Sequence, residues 1–105
     1  MECLFCQIAN REKSSDVVWE DDEFFSFKDI NPKSRIHVLV IPKRHIDSVS
    51  HMDGEDVPLI GNLFLAIQQI ARNLGIQGSG YRLEINVGRG GGQIIDHLHV
   101  HLLAD

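Results

Sequence analysis

The sequence predicts an α+β fold: a five-stranded, mostly antiparallel sheet with one main helix lying across it. Three observations carry this. One segment, residues 57–74, keeps apolar residues at helical spacing. The shorter segments around it are β-branched, aromatic or alternating, and turn residues separate them. The end of the chain, "DHLHVHLLAD", alternates histidine with leucine and valine at the strand period. A chain of 105 residues suits one domain, 1–105. At that size folding buries roughly two-thirds of the unfolded surface, which supports a single core.

Residues 3–9 fit one short helical turn. "VVWE" and "FFSFK" flank the polar "DDE" and read as a hairpin of residues 17–20 and 23–28. "INPKSR" is a loop, because Asn31-Pro32 favours a turn. "IHVLVIP" is a strand ending at Pro42. Its alternation puts His37 on the face of Leu39 and Ile41, opposite Ile36, Val38 and Val40. In the main helix Asp56 is the expected N-cap, Pro58 fits the first turn and Gly75 the C′ position. Leu59, Leu63, Ile67, Ile70 and Leu74 form its stripe, widened by Ile60, Phe64 and Ala71. "GYRLEINVG" is expected to be a strand, "RGGGQ" a loop and "IIDHLHVHLLA" the last strand.

Composition narrows the function. A net charge of −5, with basic residues gathered only in "PKSR" and "PKRH", argues against nucleic acid as the partner. No apolar run reaches the ~20 residues that span a bilayer, so no membrane partner is expected. The start carries Glu2 and neither a basic nor a long apolar region, so it does not read as a signal peptide and the expected compartment is the cytoplasm. There a Cys3–Cys6 disulfide is disfavoured, leaving the thiols free, redox-active or metal-bound.

His97, His99 and His101 share one face of the terminal segment, with Leu98, Val100 and Leu102 on the other. Same-face neighbours lie roughly 6.5–7 Å apart, so two imidazoles can flank a phosphate or share a metal. A solvated face is the weakest reading, since half of the chain's six histidines fall in this alternation. A metal site and nucleophilic or acid–base chemistry on an anion both remain. The preceding "GRGGGQ" brings backbone N–H groups within reach of a ligand. It is not a dinucleotide fingerprint, because Gln93 stands at the last glycine position and a strand follows.

His97-Leu98-His99-Val100-His101-Leu102-Leu103 resembles the histidine-triad motif, and "FKDINPKSRIHVLVIPKRHI" and "NVGRGGGQIIDHLHVHLL" are similar to the nucleotide-binding HINT branch of that family. The resemblance implies hydrolysis at the α-phosphate of nucleoside monophosphate conjugates such as phosphoramidates, with AMP-like purine nucleotides as ligands and no catalytic metal. It makes His99 the nucleophile, gives His37 and His101 roles in orienting it and holding phosphate, and counts His97 with the triad. It assigns Asp29 to the ribose hydroxyls, and Phe5, Ile8, Phe27 and Ile30 to an apolar base pocket. Asn86, Gly92 and Gln93 become polar contacts near the phosphate. Ile94 stands where eukaryotic relatives often carry serine, so one hydroxyl contact is missing and lower activity is expected.

Alone, Cys3-x-x-Cys6 reads first as two buried thiols; a thioredoxin-like pair lacks its βαβ context. The resemblance to bacterial-looking relatives adds His45 and His97 and implies a structural zinc site of Cys3, Cys6, His45 and His97. It also implies a homodimer built through the helix and the following strand, which the extra apolar residues Ile60 and Phe64 favour. The rival to a hydrolase is a catalytically weak nucleotide-binding or partner-binding module. A zinc-buffering protein is a third reading, against which Asp29, Asn86 and Gln93 argue.

Overall fold

A computed structural model describes residues 3–105. Its elements are α1 (Leu4–Ala9), β1 (Val17–Glu20), β2 (Phe24–Lys28), β3 (Ile36–Pro42), α2 (Val57–Asn73), β4 (Arg82–Glu84) and β5 (Val100–Ala104). The five strands form one sheet in the order β1-β2-β3-β5-β4, and every pairing is antiparallel. The expected fold class is the observed one.

Strand β3 lies at the centre and is buried on both faces, so its two sets of side chains build two cores. Val38 and Val40 join Phe24, Val100 and Leu102 under Leu63, Ala66, Ile67 and Ile70 of α2. Leu39 and Ile41 join Phe25 and Phe27, and α1 covers them with Phe5, Ile8 and Ala9. The sheet is therefore sandwiched between a long helix and a short one. His37, at the second residue of β3, falls on the α1 side as its register requires.

Helix α2 ends as expected. Gly75 takes φ 75°, and its N–H donates to Arg72 O while Ile76 N–H donates to Ala71 O. These two bonds close a Schellman motif, with the apolar Ile76 buried behind it. The start differs. Asp56 occupies the N-cap position but makes no side-chain cap bond to the helix. Its carboxylate instead accepts the Asp53 N–H of a preceding 3-10 turn and pairs with Arg44. Asp53 is the N-cap of that short turn and reciprocates by accepting Glu55 N–H, so Asp56 is drawn into its capping box.

Two strands are shorter than the alternation suggests. β4 covers Arg82–Glu84 rather than the whole of 80–88, because it pairs only with residues 101–103 of β5. β5 begins at Val100 rather than Ile94. Before it, the backbone bonds go to loops: Leu98 N–H donates to Ile46 O and His97 N–H to Ile95 O. Two of the three triad histidines thus precede the ladder, in a segment tied to the 43–48 loop. Among the described residues no helix is long and apolar enough to cross a membrane.

Candidate active site

The alternation of the terminal segment sends the three histidines to the α1 side of the sheet, but into two different groups. His99 and His101 meet His37, while His97 meets the cysteines. Hydrogen-bond logic fixes the protonation of each ring. A carbonyl only accepts, so the 2.7 Å contact from His99 Nδ1 to His97 O places the hydrogen on Nδ1 and the lone pair on Nε2. Lys33 N–H donates to His37 Nδ1 at 3.1 Å, so His37 Nε2 carries its ring's hydrogen. That N–H donates to His101 Nδ1 at 2.9 Å, with Asp29 Oδ2 3.4 Å away on the same side. His101 Nε2 is then left as a donor. The arrangement holds one imidazole as a base or nucleophile and its neighbour as a hydrogen-bond donor, which suits work on an anion.

Burial favours the neutral rings. It pushes His99 below its ordinary range, and the His97 carbonyl and the Asp29 carboxylate offset only part of that. His101 is lowered by burial first, then by its neighbours His99 and His37. Around them Phe5 packs edge-on against His99, with ring centroids 5.1 Å apart, and against Phe27 at 5.4 Å. Ile8 completes this apolar wall. Ile30 is not part of it. It is 92% exposed on the loop after β2, where Asp29 Oδ1 accepts the Asn31 N–H.

The second group is Cys3, Cys6, His45 and His97, whose ligand atoms lie within 4.8 Å of one another. Bond lengths of about 2.3 Å to sulfur and 2.0–2.1 Å to nitrogen put sulfur and nitrogen about 3.5 Å apart around a tetrahedral ion. Cys3 Sγ and Cys6 Sγ are 3.3 and 3.6 Å from His97 Nδ1, and Cys6 Sγ is 3.4 Å from His45 Nδ1. Both imidazoles aim Nδ1 inward, and both fix the other nitrogen outside the cluster. His97 Nε2–H donates to Pro42 O at 2.7 Å and His45 Nε2–H to Asp47 Oδ1 at 2.5 Å. That second layer is what orients metal-ligating histidines. Burial holds His97 down at about 4, keeping its ring neutral and able to ligate. Burial and the adjacent Cys3 push the Cys6 thiol up to about 11, so binding an ion there releases a proton. The four side chains fit a metal ion. With both nitrogens engaged here, His97 has none left to face a substrate alongside His99.

Asp29, His37 and His101 also converge closely enough to hold an ion. The Lys33 N–H argues against it: His37 accepts on Nδ1 and must carry its hydrogen on Nε2, the atom that would ligate.

The glycine-rich loop forms a single 3-10 turn, Arg89–Gly91, between Gly88 at φ 69° and Gly92 at φ 87°. Asn86 Nδ2 braces it by donating to Gly91 O at 2.8 Å. Gln93 is 2% exposed and its carboxamide is fully engaged inside the protein. Oε1 accepts Gly88 N–H, and Nε2 donates to Asp47 O and Ile95 O. The residue expected to touch phosphate thus holds the loop to the segment carrying Asp47. Ile94, beside it, is 81% exposed. The sequence reading also missed Asp47, Lys33 and the Arg89–Asp96 pair. Only Asp47 carried a signal, as an acid two residues beyond a candidate ligand histidine.

Comparison with known proteins places the chain among relatives. A family model described as "Scavenger mRNA decapping enzyme C-term binding" matches residues 2–105. The chain is 45% identical over 101 residues to Protein HitA of Neisseria gonorrhoeae, covering 96% of this chain and 94% of that protein. A HIT family hydrolase from Legionella pneumophila superposes with a TM-score of 0.95 at 41% identity, covering 98% of this chain and 92% of the other. A histidine triad protein from Clostridium difficile gives 0.97 at 40%, covering 100% and 91%. Motif, fold and relatives converge: this chain belongs to the histidine triad (HIT) family.

Proposed function

We propose that the protein is a nucleotide-binding hydrolase of nucleoside 5′-phosphoramidates or related nucleotidyl conjugates. It acts at the α-phosphate through a covalent nucleotidyl-His99. The observation that carries this is the His99 Nδ1–H···O=C bond to His97, which leaves Nε2 as a lone pair beside a donating His101. In the first step His99 Nε2 attacks phosphorus, the P–N bond to the leaving amine breaks, and the amine departs with a proton taken from solvent, which the attacking water returns in the second step. The His97 carbonyl stabilises the positive charge that His99 acquires, and His101 Nε2–H donates to a phosphate oxygen. Water then attacks phosphorus, the P–N bond to His99 breaks, and the nucleoside monophosphate and the free imidazole are released. His37 keeps His101 oriented, Asp29 receives the ribose hydroxyls, and Phe5, Ile8 and Phe27 line the base side.

The Cys3, Cys6, His45 and His97 cluster is read as a structural zinc site, supported by its Cys₂His₂ donor set and sulfur–nitrogen spacing. Zinc there supplies cross-linking, and no step of the hydrolysis passes through it. The protein is read as a homodimer. The apolar Val57, Phe64 and Leu65 stay exposed on α2, as do Leu83 and Ile85 at the β4 edge.

A binding module with weak chemistry is the second reading, favoured by Ile94 and by the engaged carboxamide of Gln93. Steady-state hydrolysis of adenosine 5′-phosphoramidate separates the two. Turnover that disappears in His99→Asn supports the hydrolase. AMP binding without turnover on any phosphoramidate supports the module.

A further inference from the structure

We infer that the Cys3–Cys6–His45–His97 cluster is a clamp on the nucleotide pocket: by fastening α1 to the triad segment it positions Phe5 against His99 and sets ligand affinity. The inference rests on the nucleotide-binding reading above.

Helix α1 has six residues, far below the length at which a helix holds itself in water. Its attachments are the burial of Phe5, Ile8 and Ala9 on the sheet and the two thiols at its start. Cys3 is also the N-cap, with Sγ accepting the Cys6 N–H, so the ligand and the cap are one atom. Phe5 lies between the two thiols in sequence and is 5% exposed. Its ring meets His99 edge-on at 88° and lies 6.1 Å from the His97 ring. A second thread runs through the backbone: the residue whose ring enters the cluster offers its own carbonyl to His99 Nδ1. Both the wall and the orientation of His99 therefore lead back to the same four side chains. With an ion those four are joined by coordination bonds. Without one they are joined only by hydrogen bonds to sulfur, which are weak. A loosened α1 leaves the pocket assembled for only a fraction of the time, and apparent affinity falls by that fraction.

The test compares zinc-loaded protein, chelator-stripped protein and stripped protein reloaded with zinc. AMP affinity is measured by calorimetry and amide hydrogen exchange at residues 5–9 and in β3. Stripping is expected to deprotect residues 5–9 while β3 stays protected, and to weaken AMP roughly tenfold or more, as for a pocket assembled a tenth of the time. Reloading restores both. Phe5→Leu is expected to keep its zinc and to lose roughly three- to tenfold in AMP affinity, the worth of an aromatic edge contact. Cys3→Ser with Cys6→Ser should match the stripped protein; should it fail to fold, the stripped and reloaded samples decide. The clamp is overturned if residues 5–9 stay protected on stripping. It is equally overturned if they open while AMP affinity stays within about twofold, since the pocket would then not depend on α1. If the loaded protein binds no AMP, the nucleotide reading fails. The claim on affinity falls with it, and the exchange at residues 5–9 still decides whether the cluster fastens α1.

Discussion

Replacing Gln93 by leucine separates two roles for one side chain. If its carboxamide serves as a phosphate contact, Gln93→Leu should weaken nucleotide binding and leave stability nearly untouched. The structure supports the opposite. The side chain is 2% exposed and makes three hydrogen bonds, from Gly88 N–H at 2.9 Å and to Asp47 O at 2.7 Å and Ile95 O at 2.9 Å. Leucine has similar bulk and removes all three, leaving the Asp47 and Ile95 carbonyls on half-buried residues and the Gly88 N–H on an exposed one without this partner. At about 1 kcal/mol for each lost bond, and more for an unsatisfied buried group, the loss is about 3 kcal/mol. For a domain of this size each kcal/mol moves the melting temperature by roughly 4–8 °C, so a fall of roughly 12–24 °C is expected. Urea unfolding at equilibrium gives the free energy and a thermal melt followed by circular dichroism gives the shift. A melting temperature lowered by less than about 4 °C, below the effect of a single bond, would refute the brace.

Four further outcomes follow from particular residues. Ile70→Ala, at a fully buried position on the sheet-facing side of α2, should cost about 2–5 kcal/mol in denaturant unfolding. Gly75→Ala should cost about 1–2 kcal/mol from backbone strain alone, since φ is 75° and a Cβ there meets nothing within 4 Å. His101 sits below its ordinary value of 6.5 in the folded protein, mainly through burial. The unfolded chain therefore binds more protons as pH falls below 6.5, so stability declines from there until the folded ring also protonates, and His101→Gln should flatten that slope in urea titrations. Leu65 is 65% exposed on α2, and if the proposed dimer forms there Leu65→Glu should shift sedimentation from dimer to monomer without lowering helix content.

Much of this was legible because period and register are local properties. The faces of β3, the stripe of α2 and the Gly75 stop follow from spacing and from one residue's freedom at positive φ. The α1-side placement of the histidines followed from alternation, which persists even where no ladder forms. The start of β5 was not legible, because residues 94–99 bond to Ile46 and to one another, and nothing in the local pattern distinguishes a loop partner from a strand partner. The short β4 has the same origin, since its length is set by residues 101–103 opposite. At the site, the family resemblance supplied the candidate ligands and the candidate nucleophile, but the supports stayed hidden. The Lys33 amide, the Pro42 carbonyl and the inward turn of Gln93 are backbone geometry or distant contacts. Asp56 shows the same limit: a good cap in sequence was recruited by the turn before it and by Arg44.

One measurement tests the proposed covalent role of His99 most directly. Protein mixed with adenosine 5′-phosphoramidate is quenched during turnover, digested and read by mass spectrometry. Parent and His99→Asn are run side by side, with AMP affinity measured for both. The account predicts an adenylyl adduct on the peptide bearing His99 in the parent and none in the variant. His99→Asn should bind AMP nearly as well and lose at least ~10³-fold in turnover, of the order seen when a nucleophile is removed. Turnover in His99→Asn within about tenfold of the parent, or an adduct mapped to another histidine, would contradict it.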